Sequence, residues 1–245
     1  MNFTPSSAGD YLLVWAAEVH SQTWGVNVSA ATRLDAANVQ DTLIQSKGMD
    51  TEFTPLCTFS VSSLTAAQHT MTIRASQASG AGSTVRRCRL AAVRLTGSRF
   101  ADYAYGVDDT ETSTTSTTFA EKLSKSWTSG PTGNWLALMS ANAGQSGAFR
   151  TDEVRLQYND ATTIGATWHD LMDATEYLPT AAVGVVSVSG GSRKVDVDYR
   201  TENSGYAAKL KYVHVALLPL DSGIADLVIT TTSVPNGQIG VAYSQ

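Results

Sequence analysis

Short runs of alternating apolar and polar residues recur along the whole chain. In "RKVDVDYR" (193–200), the apolar members Val195, Val197 and Tyr199 are separated by charged residues, and "HTMTIR" (69–74) alternates in the same way. A side-chain period of two is typical of a β-strand with one buried and one solvated face. The pattern therefore predicts strands rather than helices.

Two other runs are apolar almost throughout, namely "YLLVWAAEV" (11–19) and "YVHVALLPL" (212–220). We interpret them as inner strands of a sandwich. Gly190 and Gly191 stand between two strand-like runs and predict a hairpin turn. With no amphipathic helix between the strands, the predicted fold is all-β, made of antiparallel β-sandwich domains of jelly-roll type.

The chain repeats itself. "NFTPSSAGDYLL" (2–13) aligns with "SWTSGPTGNWLA" (126–137), so that Phe3 matches Trp127 at an offset of 124 residues. Later segments match at nearly the same offset, including "RRCRLAAVRL" (86–95) with "KYVHVALLPL" at 125. Repeats of 20–50 residues would indicate a solenoid, whereas a repeat of roughly 100–120 residues indicates a duplicated domain.

The predicted organisation has four parts: a first β-sandwich repeat (1–98), a linker loop (99–118), a second β-sandwich repeat (119–222) and a C-terminal tail (223–245). "DDTETSTTSTT", within the linker, is polar and lacks apolar anchors, so we expect an exposed loop. "FAEKLSKSWT" is predicted to be the opening strand of the second repeat, and the first repeat has no equivalent. Either the first sandwich closes without that strand, or a neighbouring subunit supplies it.

Composition narrows the function. Of 245 residues, 42% are hydrophobic and 16% are charged, which is typical of a folded protein, and the net charge of −5 gives no reason to expect a nucleic-acid partner. The sequence has no apolar run long enough to span a membrane, and its start lacks a secretory signal pattern. Cys57 and Cys88 lie in apolar, strand-like surroundings and are predicted to be buried free thiols; a disulfide or a metal site is the alternative.

Motifs for catalysis or cofactor binding are not found in the sequence. The four histidines lack metal-ligand spacing, so they are interpreted as strand or surface residues, and no cofactor is expected. Paired carboxylates could hydrolyse glycosides, but Asp196 and Asp198 fit a solvated strand face. "GVDDTE" (106–111) lacks the spaced ligands of a calcium loop and is interpreted as a solvated loop. We therefore predict a protein that is not an enzyme. The histidines are His20, His69, His169 and His214, and the other acidic pairs are Asp50/Glu52 and Asp173/Glu176.

One segment of this acidic protein is strongly basic. "VRRCRLAAVRLTGSR" (85–99) contains five of the 17 basic residues. The arginines could contact an acidic partner surface, or they could form a polar strand face and protect a sheet edge by charge. No aromatic residues are interleaved with them, which disfavours nucleic acid. The candidate partner-binding residues are Arg86, Arg87, Arg89 and Arg94.

Tryptophans are candidate platforms for sugar rings. Trp127 and Trp135 occupy positions matched by Phe3 and Tyr11 in the first repeat, so we expect them to pack in strands or cores. Trp24, in "QTWGV", is the candidate for an exposed glycan-binding residue.

The repeated phrases resemble a known family. "FTPSSAGDYLLVWAAEV" with "STVRRCRLAAVRL", and "TSTTFAEKLSKSWTSGPTGNWLALMSA" with "YAAKLKYVHVALLPL", resemble tandem jelly-roll domains of phage virion structural proteins. The second repeat departs from the pattern, with Asn134-Trp135 in place of Asp-Tyr and Pro219-Leu220 in place of Arg-Leu. "VPNGQIGVAYSQ", in the tail, resembles the start of an immunoglobulin-like module.

This resemblance implies a virion structural protein of the head decoration, head fibre or tail appendage type. The expected partners are further copies of the chain, for example in a trimer, and other virion proteins such as the capsid shell. The missing secretory signal agrees with assembly in a host cytoplasm. The alternative function is a carbohydrate-binding module or adhesin domain that binds host surface glycans.

Overall fold

The computed structural model describes residues 1–21, 26–38, 44–47, 53–77, 82–98, 100–128, 130–171, 174 and 177–220. Their regular structure is entirely β, which confirms the predicted fold class. No helix among these residues is long and apolar enough to cross a membrane. The predicted tail (223–245) and Trp24 lie outside the described residues.

Seventeen strands are formed by the described residues. They are β1 (Asn2–Phe3), β2 (Gly9–Ser21), β3 (Asn27–Leu34), β4 (Ala37–Asn38), β5 (Ile44–Lys47), β6 (Thr54–Leu64), β7 (His69–Gln77), β8 (Ser83–Arg94), β9 (Ala104–Asp108), β10 (Thr112–Thr114), β11 (Ala120–Trp127), β12 (Gly133–Gln145), β13 (Arg150–Tyr158), β14 (Thr162–Leu171), β15 (Tyr177–Val188), β16 (Arg193–Thr201) and β17 (Ala208–Pro219).

The strands form two sandwiches, each made of two antiparallel sheets. In the first sandwich, a sheet of order β6-β2-β8 faces a sheet of order β1-β7-β3-β4, in which β5 also pairs with β3. In the second, a sheet of order β10-β17-β12-β15, with β9 also on β17, faces a sheet of order β11-β16-β13-β14. These orders place sequence-distant strands side by side, as in a double-sheet jelly roll.

The two sandwiches have the same pairing register. Gly9 pairs with Leu64 between β2 and β6, and Gly133 pairs with Val188 between β12 and β15, both 124 residues further on. Register shifts and other pairs recur at the same offset. Examples are the shifts between Ala16 and Glu18 and between Ser140 and Asn142, and the pairs Val28–Gln77 and Asp152–Thr201.

The continuously apolar runs lie in strands that are covered on both faces. On β2, Tyr11, Leu13 and Trp15 enter the core of the first sandwich, whereas Leu12 and Val14 face the second sandwich. β12 divides in the same way, with Trp135 in its own core and Leu136 and Leu138 against the first sandwich. The apolar run therefore reflects burial of both faces rather than of one.

The sheets β6-β2-β8 and β10-β17-β12-β15 pack back to back. Leu12, Phe59 and Leu95 of one sandwich contact Ala216 and Leu218 of the other. Thr58 and Ser140 share a buried hydrogen bond of 2.7 Å across this interface. A cavity of about 220 Å³, lined mostly by apolar atoms, lies between the two sheets beside this hydrogen bond.

Three local predictions about the strands need correction. The segment predicted to be an exposed linker loop contains β9 and β10, which pair with β17. Ala104 anchors β9 in the core, whereas the polar β10 is held through its backbone pairing. The predicted opening strand, now β11, has an equivalent in the first sandwich, since Asn2–Thr70 in β1 and β7 matches Ser126–Lys194 in β11 and β16. The turn predicted at Gly190-Gly191 is present, with Gly191 at φ 101°, but it is not a hairpin, because β15 and β16, which it connects, lie in the two facing sheets and do not pair with each other. The domain boundaries at 98, 118 and 222 stay predictions.

We expect the interface between the sandwiches to weaken in acid through His214. This side chain is fully buried, its Nδ1 lies 2.9 Å from the Tyr105 hydroxyl, and burial lowers its pKa to about 3. A lowered folded-state pKa gives stability that is present above pH 6.5 and is lost as the pH falls from there toward 3. The loss from this one group approaches about 1.4 kcal/mol per pH unit within that window.

Urea unfolding at pH 7.5 and pH 4.5 would measure this effect. The His214→Gln variant should lose less free energy of unfolding between the two pH values than the wild type. His69→Gln is the control, because the hydrogen bond that the Asp35 carboxylate accepts from His69 raises the pKa of His69 and gives the opposite sign. An acid loss that is unchanged in His214→Gln would contradict the assignment.

Candidate functional site

The outer edge of β8 differs from its counterpart in the second sandwich. β8 ends the sheet β6-β2-β8, and no described strand pairs with its outer edge. The equivalent strand, β17, is covered on that edge by β9 and β10. The first sandwich therefore lacks, among the residues that the structure describes, the strand that closes this sheet in the second.

The open edge leaves apolar groups of β8 in contact with solvent. Ala91 is exposed, Val93 is 36% exposed, and Leu90 is half-buried although it packs against the core. In β17, the equivalents of Leu90 and Ala92 are Val215 and Leu217, and both are fully buried. Residues of the same type in the same register thus differ in burial because only one strand has a neighbour.

The facing sheet is open on the same flank. β1 pairs with β7 only at His69 and Thr70, and Met1 adds backbone bonds to Met71. In the second sandwich, β11 pairs with β16 over residues 193–199. From Ile73 onward, β7 has no described partner on that side. We call β8 together with this part of β7 (Ile73–Gln77) the open flank.

Three of the four predicted partner-binding arginines lie together on β8. Arg86 Nε lies 2.6 Å from Glu18 Oε2, and Arg87 Nη1 lies 2.7 Å from Glu18 Oε1. Both hydrogen bonds lower the pKa of Glu18, and the bond from Arg87 has the larger effect. Arg89 is exposed and donates to the Cys88 carbonyl. Glu18 thus pairs with two of the three guanidinium groups, and these four residues together carry a net positive charge.

Arg94 is separate from this group. It is half-buried at the far end of β8, where its guanidinium lies next to Gly97 in the turn that leaves the strand. Its neighbour in the predicted basic segment, Arg99, lies outside the described residues. The structure therefore brings Arg86, Arg87 and Arg89 together and leaves Arg94 at the end of the strand.

A β-bulge directs these side chains. Arg87 has φ 53°, in the left-handed region, and the equivalent residue of β17, Tyr212, has φ 51°. Non-glycine residues rarely adopt this conformation, and bulges commonly redirect side chains next to functional sites. The bulge points both Arg86 and Arg87 toward Glu18, although consecutive residues of a regular strand face opposite sides.

The second sandwich shows which side chains accompany a strand at this edge. Asp108 is the last residue of β9, and Asp109 and Glu111 lie in the turn between β9 and β10. Asp108 accepts from the buried Lys122 Nζ at 2.6 Å, and Glu111 accepts from the Tyr177 hydroxyl. All three acids therefore take part in the closing of the sandwich, since Asp109 also lies 3.5 Å from His214 Nε2. The segment 106–111, predicted to be a solvated loop, therefore comprises the end of β9 and a turn whose acids have partners in the fold, although Glu111 itself stays exposed.

The pair Asp196 and Asp198 is also not solvated, contrary to the prediction. Both are buried, because long side chains of neighbouring strands cover the outer face of β16. Asp198 Oδ2 accepts from Arg155 Nη2 at 2.8 Å, and burial raises the pKa of Asp196 to about 6. The other two predicted acidic pairs contain residues outside the described parts of the chain.

Three acids surround one lysine and each forms an ion pair with it. Lys194 Nζ lies 3.0 Å from Glu121 Oε2, 3.0 Å from Asp160 Oδ1 and 3.1 Å from Asp196 Oδ1. The oxygens are close enough together to bind a cation. The ammonium group already supplies that positive charge, so the cluster functions as a structural ion-pair network.

The histidines all lie in strands, and three of them are near carboxylates. Asp35 accepts from His69, Asp152 Oδ1 lies 3.4 Å from His169 Nδ1, and His214 faces Asp109. His20 instead stacks on Phe53. Asp152 is fully buried, and burial raises its pKa.

The second sandwich carries an exposed aromatic residue that the sequence pattern does not single out. Trp168 on β14 is 59% exposed, whereas Trp15 and Trp135 are buried. The Arg200 guanidinium lies 5.6 Å from the Trp168 ring centroid and 4.6 Å from that of Phe119, and it is paired with Glu153 at 2.6 Å. We call these four residues the Trp168 face. The neighbouring "WH" gave no signal for exposure, because an isolated aromatic residue in a strand fits a core equally well.

The cysteines are free, but both are exposed rather than buried. Cys88 lies on the open edge of β8, and Cys57 lies at the wall of the apolar cavity between the sandwiches. The alternation of β8 could not reveal the missing neighbouring strand that would have buried Cys88. The apolar cavity wall raises the pKa of the Cys57 thiol by desolvation.

Comparison with known proteins identifies no family. No protein-family profile and no curated protein matches the sequence. Among solved structures, the EclA C-terminal domain, described as a sugar-binding protein, aligns with 44% of this chain and 77% of its own, at 16% identity and a TM-score of 0.33.

Two further solved structures cover more of the chain. The VP2 subviral particle of infectious bursal disease virus aligns with 86% of this chain and 62% of its own, at 12% identity and a TM-score of 0.30. The tandem CBM22 domains of Paenibacillus barcinonensis Xyn10C align with 84% and 78%, at 7% identity and a TM-score of 0.27. With TM-scores of 0.33 or lower, these similarities support no conclusion about the fold or the function.

We expect both thiols to react in the native protein, Cys88 faster than Cys57. A thiolate is the reactive species, so the raised pKa of Cys57 slows its reaction near neutral pH. Reaction with Ellman's reagent, followed in the wild type, Cys57→Ser and Cys88→Ser, would separate the two rates. Protection of Cys88 in the native protein would show that its edge is covered.

Proposed function

We propose that this protein is a non-enzymatic structural component of a phage virion, an outer capsid decoration or head fibre that acts in assembly and surface display. The observation that carries the proposal is the open flank of the first sandwich. Exposed sheet edges invite pairing with another chain, and proteins normally close them. The second sandwich of the same chain closes this edge, so its opening in the first is best explained by a partner.

The use of the polar residues supports a structural role. Asp108, Asp196 and Asp198 are each engaged with a lysine or an arginine inside the fold. These carboxylates are used in ion pairs within the fold. Assembly by strand pairing needs only the backbone of an edge and side chains that set its register.

The proposed partners are further copies of the chain and other virion proteins such as the capsid shell, and the proposed location is the virion. The basic surface of β8 would steer acidic partner surfaces toward the open flank. This surface and the unpaired backbone edge are adjacent, so one partner strand could contact both.

Multi-angle light scattering would test self-assembly. We expect the wild-type protein to form a trimer or a larger species, and the Arg86→Glu/Arg89→Glu variant to shift toward monomer because it reverses the charge of the edge. The Lys125→Glu/Lys209→Glu variant is the matched control, because it reverses two partly exposed lysines of the second sandwich, outside the open flank. A folded wild-type monomer at all concentrations would contradict self-assembly.

A second candidate function is carbohydrate binding, and the Trp168 face favours it. An exposed ring beside a paired arginine and glutamate offers a stacking platform and groups that can bond to hydroxyls. The other candidate, Trp24, lies outside the described residues and stays a prediction. Binding of host surface glycans is compatible with display on a virion.

Affinity electrophoresis in polysaccharide gels would test this function. If the Trp168 face binds sugars, Trp168→Ala should abolish retardation while the protein stays folded. Phe149→Ala is the control, because Phe149 is 76% exposed, precedes β13 and is not one of the four residues of the Trp168 face. Equal retardation of wild type and Trp168→Ala would exclude the site.

A further inference from the structure

We propose that the open edge of β8 is an acceptor for an acidic β-strand from another polypeptide, which pairs antiparallel with it as β9 and β10 pair with β17. This inference rests on the proposed assembly role and specifies the chemistry of the partner. The chain itself contains an open version of this edge, in β8, and a closed version, in β17.

The closed version defines the register. β9 pairs with Val213–Leu217 and β10 pairs with Ala208–Leu210. The equivalent residues of β8 lie 125 positions earlier and are 88–92 and 83–85. The left-handed residues Arg87 and Tyr212 occupy matching positions between these two stretches. An incoming strand therefore meets the same backbone path, including the same bulge.

The closed version also defines the charge. The acids of the β9–β10 turn lie beside the bulge of β17, where Glu111 is near Lys211. The matching position on β8 is Arg86, followed by Arg87 and Arg89. The basic residue is kept at the bulge of both strands. The acid beside the bulge of β8 is Glu18, on the inner neighbour β2, whereas β17 has acids on the strand segment that covers its outer edge. A partner strand with acids at its centre would supply this complement.

The same charges argue against pairing between two β8 edges. An antiparallel pair of β8 strands from two copies, centred on the bulge, would place arginines opposite arginines. Like charges that face each other across strands are destabilising. One Glu18 in each copy already faces Arg86 and Arg87, so it would not neutralise a second set.

The half-buried apolar side chains complete the acceptor. Val85, Leu90 and Ala92 of β8 pack against the core but remain partly exposed. Their equivalents in β17 are fully buried under the closing strands. A strand on this edge would therefore bury apolar surface in addition to forming backbone hydrogen bonds.

A synthetic peptide of residues 103–115, "YAYGVDDTETSTT", is the probe, because it is the strand segment that closes the second sandwich. We expect the labelled peptide to bind the full chain in a fluorescence anisotropy titration. Binding should weaken about tenfold with Arg86→Glu/Arg89→Glu, because two favourable charge contacts become repulsive. The Lys125→Glu/Lys209→Glu variant, in the second sandwich, should leave it unchanged. Binding that is equal for all three proteins would show that the peptide does not use this edge.

Two chemically modified peptides separate strand pairing from simple charge attraction. In an antiparallel strand, alternate amides point toward the neighbouring strand. Peptides methylated at either the odd or the even amides should therefore differ, one retaining binding and the other losing it. Equal binding by both methylated peptides, or no binding of the parent peptide, would overturn the proposal. A peptide with the three acids changed to amides should bind about tenfold more weakly.

The outcomes distinguish this inference from the proposed function. A monomeric protein that binds the peptide at β8 would retain the acceptor edge and contradict self-assembly. An oligomer that depends on Arg86 and Arg89 but does not bind the peptide would retain assembly and contradict the acidic strand. Hydrogen exchange would localise the effect, with slower exchange of residues 83–92 expected on peptide binding.

Discussion

The burial of both faces of β2 and β12 is the constraint on which the rest of the structure depends. Each of these strands carries apolar side chains on both sides, and a single sandwich can cover only one side. Water is excluded from the other side only when the two sheets pack back to back. The Thr58–Ser140 hydrogen bond satisfies the polar groups that this contact buries. The two sandwiches are thus halves of one structure.

This packing determines which surfaces remain for partners. The contact between the sandwiches involves β2, β5 and β6 of the first and β12, β15 and β17 of the second, and β8 lies at the edge of its sheet opposite β6. The outer face of β14 and β16 is likewise left free for the Trp168 face. The molecule therefore presents a backbone edge at one sandwich and a side-chain surface at the other. These two surfaces suit different ligands, a peptide strand and a sugar.

Much of the fold could be predicted from the sequence, because alternation at Val195, Val197 and Tyr199 reports directly on a two-faced strand. The 124-residue offset identified the duplication, and the matching positions of Trp127 and Trp135 placed both rings in or against a core. Burial by neighbouring side chains could not be predicted.

The sequence predicts that Asp196 and Asp198 are solvated, because the alternation of one strand cannot show that Lys194 and Arg155 lie over them. The sequence predicts that Cys88 is buried, because the pattern of one strand cannot show whether a neighbouring strand covers it. The polar, Thr-rich β10 is predicted to be a loop, because its place in the sheet depends on backbone bonds to β17, which its side-chain pattern does not show. The arginine cluster was visible in the sequence, but its position on an open edge was not.

The identical register of the two sandwiches has a consequence for how the chain folds. Every backbone pair that β2 makes with β6 could also be made with β15, and misassembly between like domains is a characteristic failure of tandem repeats. Backbone geometry cannot select the correct partner, so side chains must. Divergence between the copies, such as Tyr11 against Trp135 and arginines against lysine and tyrosine at the bulge, then has a kinetic role. It keeps a newly made strand from pairing with the wrong repeat.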